Sequence, residues 1–285
     1  MKFDLLSACR EKTLVAAHRG SASGNIPCNT LSSYEAALYQ GADMIEIDVA
    51  RSADGVLYVF HPGMERAHLY SARLIRDMTA QEVDSLCLVN QDVTPTQFHV
   101  SRLDEVLDRF KDRCYINIDK FWMWPDEIAR RVRAHGMEDQ VLVKTDADPA
   151  VFDRVEQVAP DLPYMIIAKQ QDDYSEQLKK RNLRYVGVEA LFTEETAPIC
   201  SPEYIDRMHQ MGLIVWANAI VYSYRAVLSA GHNDDISAPG NPDAGWGWLA
   251  RRGFDILQTD WVMPCVQYLQ SIGKRLHAQK TEEFP

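Results

Sequence analysis

Apolar positions recur along this chain in short β-branched runs separated by longer stretches with a helical period. Eight runs predict strands: Leu14–Ala17, Asp43–Val49, Tyr115–Asp119, Gln140–Lys144, Tyr164–Ala168, Tyr185–Glu189, Leu213–Ala217 and Asp255–Thr259. Between them the period changes from two residues to about 3.6. This predicts helices over Thr30–Gln40, Leu103–Phe110, Trp124–His135, Ala150–Val158, Tyr174–Arg181, Pro202–Met211 and Gly245–Arg252. Near-continuous apolar strands that alternate with amphipathic helices mean a parallel sheet covered by helices. Eight such units in 285 residues fit an α/β fold of the (β/α)8 TIM-barrel type, which takes about 250 residues. An open doubly wound sheet would also fit the alternation, but no G-x-G-x-x-G follows the first strand. The expected organisation is one barrel domain over residues 1–285, its core spanning about 14–270. Residues 50–102 are too long for a simple strand-to-helix connection and contain a further strand-like run, Leu57–Phe60, so they are expected to form a small insertion after strand 2. The long connection over 219–244, with His232 and Asp234, reads as a solvated loop or one that reaches a ligand.

In such a barrel, chemistry sits at the C-terminal ends of the strands, and the polar residues at those ends change the picture most. The first strand ends in His18-Arg19-Gly20. The second carries Glu46 and Asp48 on one face, with Ile45, Ile47 and Val49 on the other. Two inward carboxylates in an apolar strand repel and desolvate each other and need a cation. The third strand ends in Asp119, a third carboxylate. Hard oxygen ligands suit a divalent cation, Mg2+ or Ca2+, better than zinc. His61 follows the Leu57–Phe60 run and pairs with His18 as an acid–base couple, since imidazole titrates near neutrality.

Charge and cysteine usage narrow the partners. A net charge of −11 excludes non-specific nucleic-acid binding and a polybasic membrane patch, so an anionic substrate must be drawn by a local device. Six scattered cysteines without C-x-x-C spacing argue against a thiolate zinc site and for reduced thiols in a cytoplasmic protein. No apolar run reaches the length of a membrane span, so no stable membrane insertion is expected. Leu6-Ser7-Ala8-Cys9 looks like a lipoprotein cleavage site but lacks an apolar region before it.

Together these segments resemble the glycerophosphodiester phosphodiesterase family. The resemblance rests on His18-Arg19-Gly20, Asn29-Thr30, the run Gly41-Ala42-Asp43-Met44-Ile45-Glu46-Ile47-Asp48-Val49, Asp54-Gly55 and His61. Leu103-Asp104-Glu105-Val106-Leu107, Trp216-Ala217-Asn218 and Thr259-Asp260 extend it downstream. It implies metal-dependent hydrolysis of a small-molecule phosphodiester to glycerol 3-phosphate and an alcohol. It also implies a cation on Glu46, Asp48 and Asp119, phosphate on Arg19, and general acid and base roles shared by His18 and His61.

Three positions depart from the family pattern. Cys28 stands where the family has a Glu before Asn-Thr. Phe121 stands where a third-strand Lys is usual. Pro62 replaces an Asp after His61. Lys120 has the wrong parity to share the face of Asp119 if the strand runs straight. Lys144 is then the candidate replacement cation, unless as a strand-end lysine it simply reaches solvent. Glu189 either binds a substrate hydroxyl or caps a helix, and Trp216 either packs on the ligand or belongs to the core. Phe121, Trp122 and Trp124 either wall the site or cover the next helix. The departures keep a sugar phosphodiester open as substrate. Phospholipase D-like cleavage of a choline lipid and a catalytically silent phospholigand-binding barrel also stay open.

Overall fold

The computed structural model describes residues 3–276. Its strands are β1 (Leu14–Ala17), β2 (Met44–Arg51), β3 (Leu57–Val59), β4 (Cys87–Val89), β5 (Pro95–His99), β6 (Tyr115–Asp119), β7 (Val141–Asp146), β8 (Tyr164–Lys169), β9 (Tyr185–Leu191), β10 (Ile214–Asn218) and β11 (Ile256–Thr259). Eight of these pair in parallel in the order β1-β11-β10-β9-β8-β7-β6-β2, and a β1–β2 pairing closes the ring. The fold is a (β/α)8 barrel, and each of the eight expected strands falls on one of its staves.

Alternation along the staves divides the molecule into two cores. Ile45, Ile47 and Val49 of β2 point outward, into a cluster shared with the surrounding helices. Met44 points inward and joins Leu14, Ala16, Leu142, Met165, Val186, Ile214, Trp216 and Ile256 inside the barrel. The helix Leu5–Glu11, which periodicity over so short a stretch did not reveal, closes this interior from below with Leu5 and Cys9. The same inward faces turn polar toward the C-terminal end. On β2, Met44 gives way to Glu46 and Asp48; on β7, Leu142 to Lys144; on β10, Ile214 and Trp216 to Asn218. The apolar lower half holds the ring together, and the upper half becomes a buried polar chamber.

The insertion follows β2 as expected. β3 runs antiparallel on the extension of β2, pairing Val49 with Val59. A β4–β5 hairpin completes it, unforeseen because Pro95–His99 reads as a polar loop. The insertion has its own small core, with Tyr58, Phe60, Ile75, Val83 and Leu88 among its members. The helix expected over Tyr174–Arg181 is shortened to Ser175–Leu178. Among the described residues no helix is long and apolar enough to cross a membrane.

Candidate functional site

The loop after β1 carries His18, Arg19 and Gly20 into the chamber, and the N-terminus of the helix Leu31–Tyr39 holds it there. Thr30 caps that helix by accepting the Ser33 N–H, and Ser33 Oγ donates to the Arg19 carbonyl at 3.2 Å. Gly20 has φ +80°, and a Cβ there would lie 2.7 Å from the Ser33 carbonyl carbon. Only glycine permits both the left-handed turn and this close approach.

Barrel register brings the acids together. Glu46 pairs with Asn117 and Asp48 with Asp119 across the β2–β6 ladder. Ligand oxygens of Glu46, Asp48 and Asp119 all lie within 4.8 Å of one another. Burial, with the neighbouring Asp48 second, pushes the Glu46 carboxyl up to about 8. Asp48 Oδ1 is buried and has no hydrogen-bond partner among the described residues. Three clustered carboxylates, one pulled toward protonation and one with an orphaned oxygen, are the donor set a hard divalent cation satisfies. The residues present therefore fit a cation at this point.

Two histidines flank the cluster in similar poses. His18 Nδ1 lies 2.8 Å from Asp260 Oδ1, and His61 Nδ1 lies 3.0 Å from the Pro62 carbonyl oxygen. Both partners are acceptors, so each ring carries its proton on Nδ1 and presents Nε2. His61 Nε2 lies 3.9 Å from Asp48 Oδ1. Burial opposes charge on both rings. At His18 the Asp260 hydrogen bond and the Glu46 charge outweigh burial and raise the pKa. At His61 burial wins over the Asp48 charge and lowers it.

Strand parity misplaced one of the cations, Lys120. Lys120 shares the site: its backbone turns left-handed (φ +61°), and its Nζ reaches Asp119 Oδ2 at 2.9 Å. β6 ends at Asp119, as the sequence places it, and the chain does not continue straight to Lys120. Lys144 does not snorkel to solvent. It is buried, ion-paired with Glu189, and lies 4.2 Å from the centre of the Trp216 ring. Burial works against Asp119 ionising, but Lys144 and Lys120 hold its carboxyl below the ordinary value. Glu189 also accepts from the Asn218 amide at 2.6 Å, and Asn218 accepts the Trp216 indole N–H at 3.0 Å. Lys144, Glu189, Asn218 and Trp216 thus form one network, with Trp216 wholly buried. Phe121 faces away from the site into the outer core, against which Trp124 packs.

Arg19 finds its acidic partner in Asp48, whose Oδ2 lies 3.0 Å from Arg19 Nε, and its backbone N–H donates to Glu46 at 3.0 Å. Cys28 lies near Arg19 as a neutral thiol. Burial pushes it up to about 11, and its Sγ is 3.8 Å from His68 Nδ1. Asp260 was legible only as part of a motif. Ala17 pairs with Thr259 across the closing β1–β11 ladder, so the next residues, His18 and Asp260, become neighbours. Asp234 does not lie on a solvated loop: it is buried and accepts from the Trp246 indole, the Thr259 hydroxyl and the Asp260 N–H. His232 stacks on Trp248, outside this cluster.

Fold and site define a (β/α)8 barrel with a carboxylate cluster, two Nε2-presenting histidines and three flanking cations at its C-terminal face. The chain belongs to the glycerophosphoryl diester phosphodiesterase family, whose sequence profile matches residues 18–220. A glycerophosphodiester phosphodiesterase of Bacillus altitudinis is 31% identical over 147 residues, covering 47% of this chain and 58% of that protein. The chain thus spans little more than half the length of this curated relative. A glycerophosphoryl diester phosphodiesterase from Parabacteroides distasonis superposes with a TM-score of 0.75 at 17% identity, over 99% of this chain and 96% of that one. A phosphodiesterase of Oleispira antarctica, solved with the product sn-glycerol-3-phosphate, superposes with a TM-score of 0.66 at 19% identity, over 93% and 99% of the two chains.

Proposed function

We propose that this chain hydrolyses a glycerophosphodiester to glycerol 3-phosphate and an alcohol, with a divalent cation, Mg2+ or Ca2+, on Glu46, Asp48 and Asp119. The observation that carries this reading is the carboxylate cluster flanked by His18 and His61, each free to act through Nε2. Family membership and the product-bound Oleispira antarctica neighbour support the substrate class.

When bound, the cation would draw charge from the phosphate oxygens and stabilise the charge that develops in the transition state. The remaining chemistry falls to side chains. Arg19, steadied by Asp48, holds phosphate oxygens through its guanidinium fork. Lys120 and Lys144 offset part of the carboxylate charge beside the phosphate, and Glu189 with Trp216 fixes Lys144 in place. One histidine takes a proton from the water whose oxygen bonds to phosphorus, and the other gives a proton to the alkoxide released as its P–O bond breaks.

The test is turnover of a panel containing glycerophosphocholine, glycerophosphoethanolamine and a sugar phosphodiester, before and after EDTA. Glycerol 3-phosphate is expected from the glycerophosphodiesters, lost on chelation and restored by Mg2+ or Ca2+. Turnover that survives EDTA would contradict the cation. Turnover of the sugar phosphodiester alone would contradict the substrate.

A further inference from the structure

The two oxygens of Asp48 have different surroundings. Oδ2 receives the Asn29 side-chain amide at 3.1 Å and lies 3.0 Å from Arg19 Nε. Oδ1 is buried, has no hydrogen-bond partner among the described residues, and faces His61. Behind Asn29 stands Tyr34, on the helix Leu31–Tyr39, with its ring wholly buried and edge-on to Phe110. Tyr34 donates its O–H to Asn29 Oδ1 at 2.7 Å.

An asparagine amide has nearly the same shape either way round, but its two ends have opposite hydrogen-bonding sense. The hydroxyl on Oδ1 leaves the NH2 end for Asp48. A turned-over amide would set an oxygen against the carboxylate. The backbone of Asn29 adds a second constraint. It is left-handed, at φ +56°, a conformation Asn tolerates better than most side chains, and its N–H donates to the Arg19 carbonyl at 2.9 Å. One residue therefore pins the His18-Arg19-Gly20 loop through its backbone and Asp48 through its side chain.

We propose that Asn29, oriented by Tyr34, is a positioning residue that occupies one oxygen of Asp48 and so reserves the other for the cation. This rests on the cation reading of the carboxylate cluster. Groups that orient a metal's ligands typically change its affinity by about 10–100-fold when removed.

The experiment is Mn2+ binding to the full chain, read from the electron paramagnetic resonance signal of the free ion. It compares the wild type, Tyr34→Phe, Asn29→Gly and the double variant. Glycine deletes the amide while keeping the left-handed backbone. The wild type is expected to bind one Mn2+. Asn29→Gly should weaken binding about 10–100-fold, and Tyr34→Phe about 10-fold. The double variant should bind no more weakly than Asn29→Gly, because Tyr34 acts through Asn29. Wild-type affinity in either single variant overturns the proposal, as do additive losses in the double. A lowered melting temperature with unchanged Mn2+ affinity assigns the pair a purely structural role and also overturns it. Absence of Mn2+ binding by the wild type overturns the cation reading itself.

Discussion

His18→Ala should lower kcat/KM for a glycerophosphodiester by about 10²–10⁴-fold, the usual contribution of a positioned proton-transfer group. Asp260 takes up His18 Nδ1, so Nε2 is the atom available for proton transfer, and alanine removes it. Stability should change little. The Asp260 side chain that loses its partner is 45% exposed, so water replaces the hydrogen bond. The expected shift in unfolding free energy is about 1 kcal/mol or less. Steady-state kinetics and a thermal melt on the same preparation check both halves. Turnover within a few-fold of wild type would remove His18 from the catalytic pair. A collapsed melting curve would show that the variant reports folding instead.

Glu46→Gln should separate stability from function in the opposite direction. Metal-free, the protein gathers three neighbouring carboxylates, two of them buried, and burial together with Asp48 pushes Glu46 up to about 8. The folded-state value lies above the ordinary 4.5, so the folded chain holds the extra proton between these two pH values. The stability linked to that proton is fully present below pH 4.5 and is lost as pH rises through about 8. Glutamine is neutral at every pH and keeps a carbonyl oxygen for the Arg19 N–H. In EDTA at pH 8 the variant should be more stable than wild type by about 1–3 kcal/mol, with the advantage shrinking toward pH 5. Added Mg2+ or Ca2+ should stabilise the wild type and not the variant, and the variant should be inactive. Melting temperatures across pH, with and without cation, read this directly. A variant less stable than metal-free wild type at pH 8 would mean that the acid cluster carries no repulsion to relieve.

Much of this site could be read from the chain because strand parity is strict. Met44-Ile45-Glu46-Ile47-Asp48-Val49 assigns its own faces: the isoleucines are apolar enough to pack on helices, and the acids can lie only inward. The same logic failed one residue beyond β6. Lys120 turns left-handed, and parity loses its meaning once a strand ends. The acidic partner of Arg19 is Asp48 on the neighbouring stave β2, a contact that no local pattern in the chain displays. Asp260 was hidden in a similar way, since its closeness to His18 exists only once β11 closes on β1. The β4–β5 hairpin escaped because its alternation is polar and short, and the helix Leu5–Glu11 because seven residues give too few turns to show a period. For Arg19 and Asp260 the missing information was tertiary. Local pattern specified the elements, and barrel closure specified which of their ends meet.

The central claim is that Glu46, Asp48 and Asp119 hold the cation on which turnover depends. A crystal structure of the chain soaked with Mn2+ and glycerol 3-phosphate tests it most directly. An anomalous peak is predicted about 2.0–2.6 Å from an oxygen of each of the three carboxylates, with the phosphate against Arg19 and between His18 and His61. An ion bound elsewhere, or a cluster left without metal at Mn2+ concentrations that sustain activity, would contradict it.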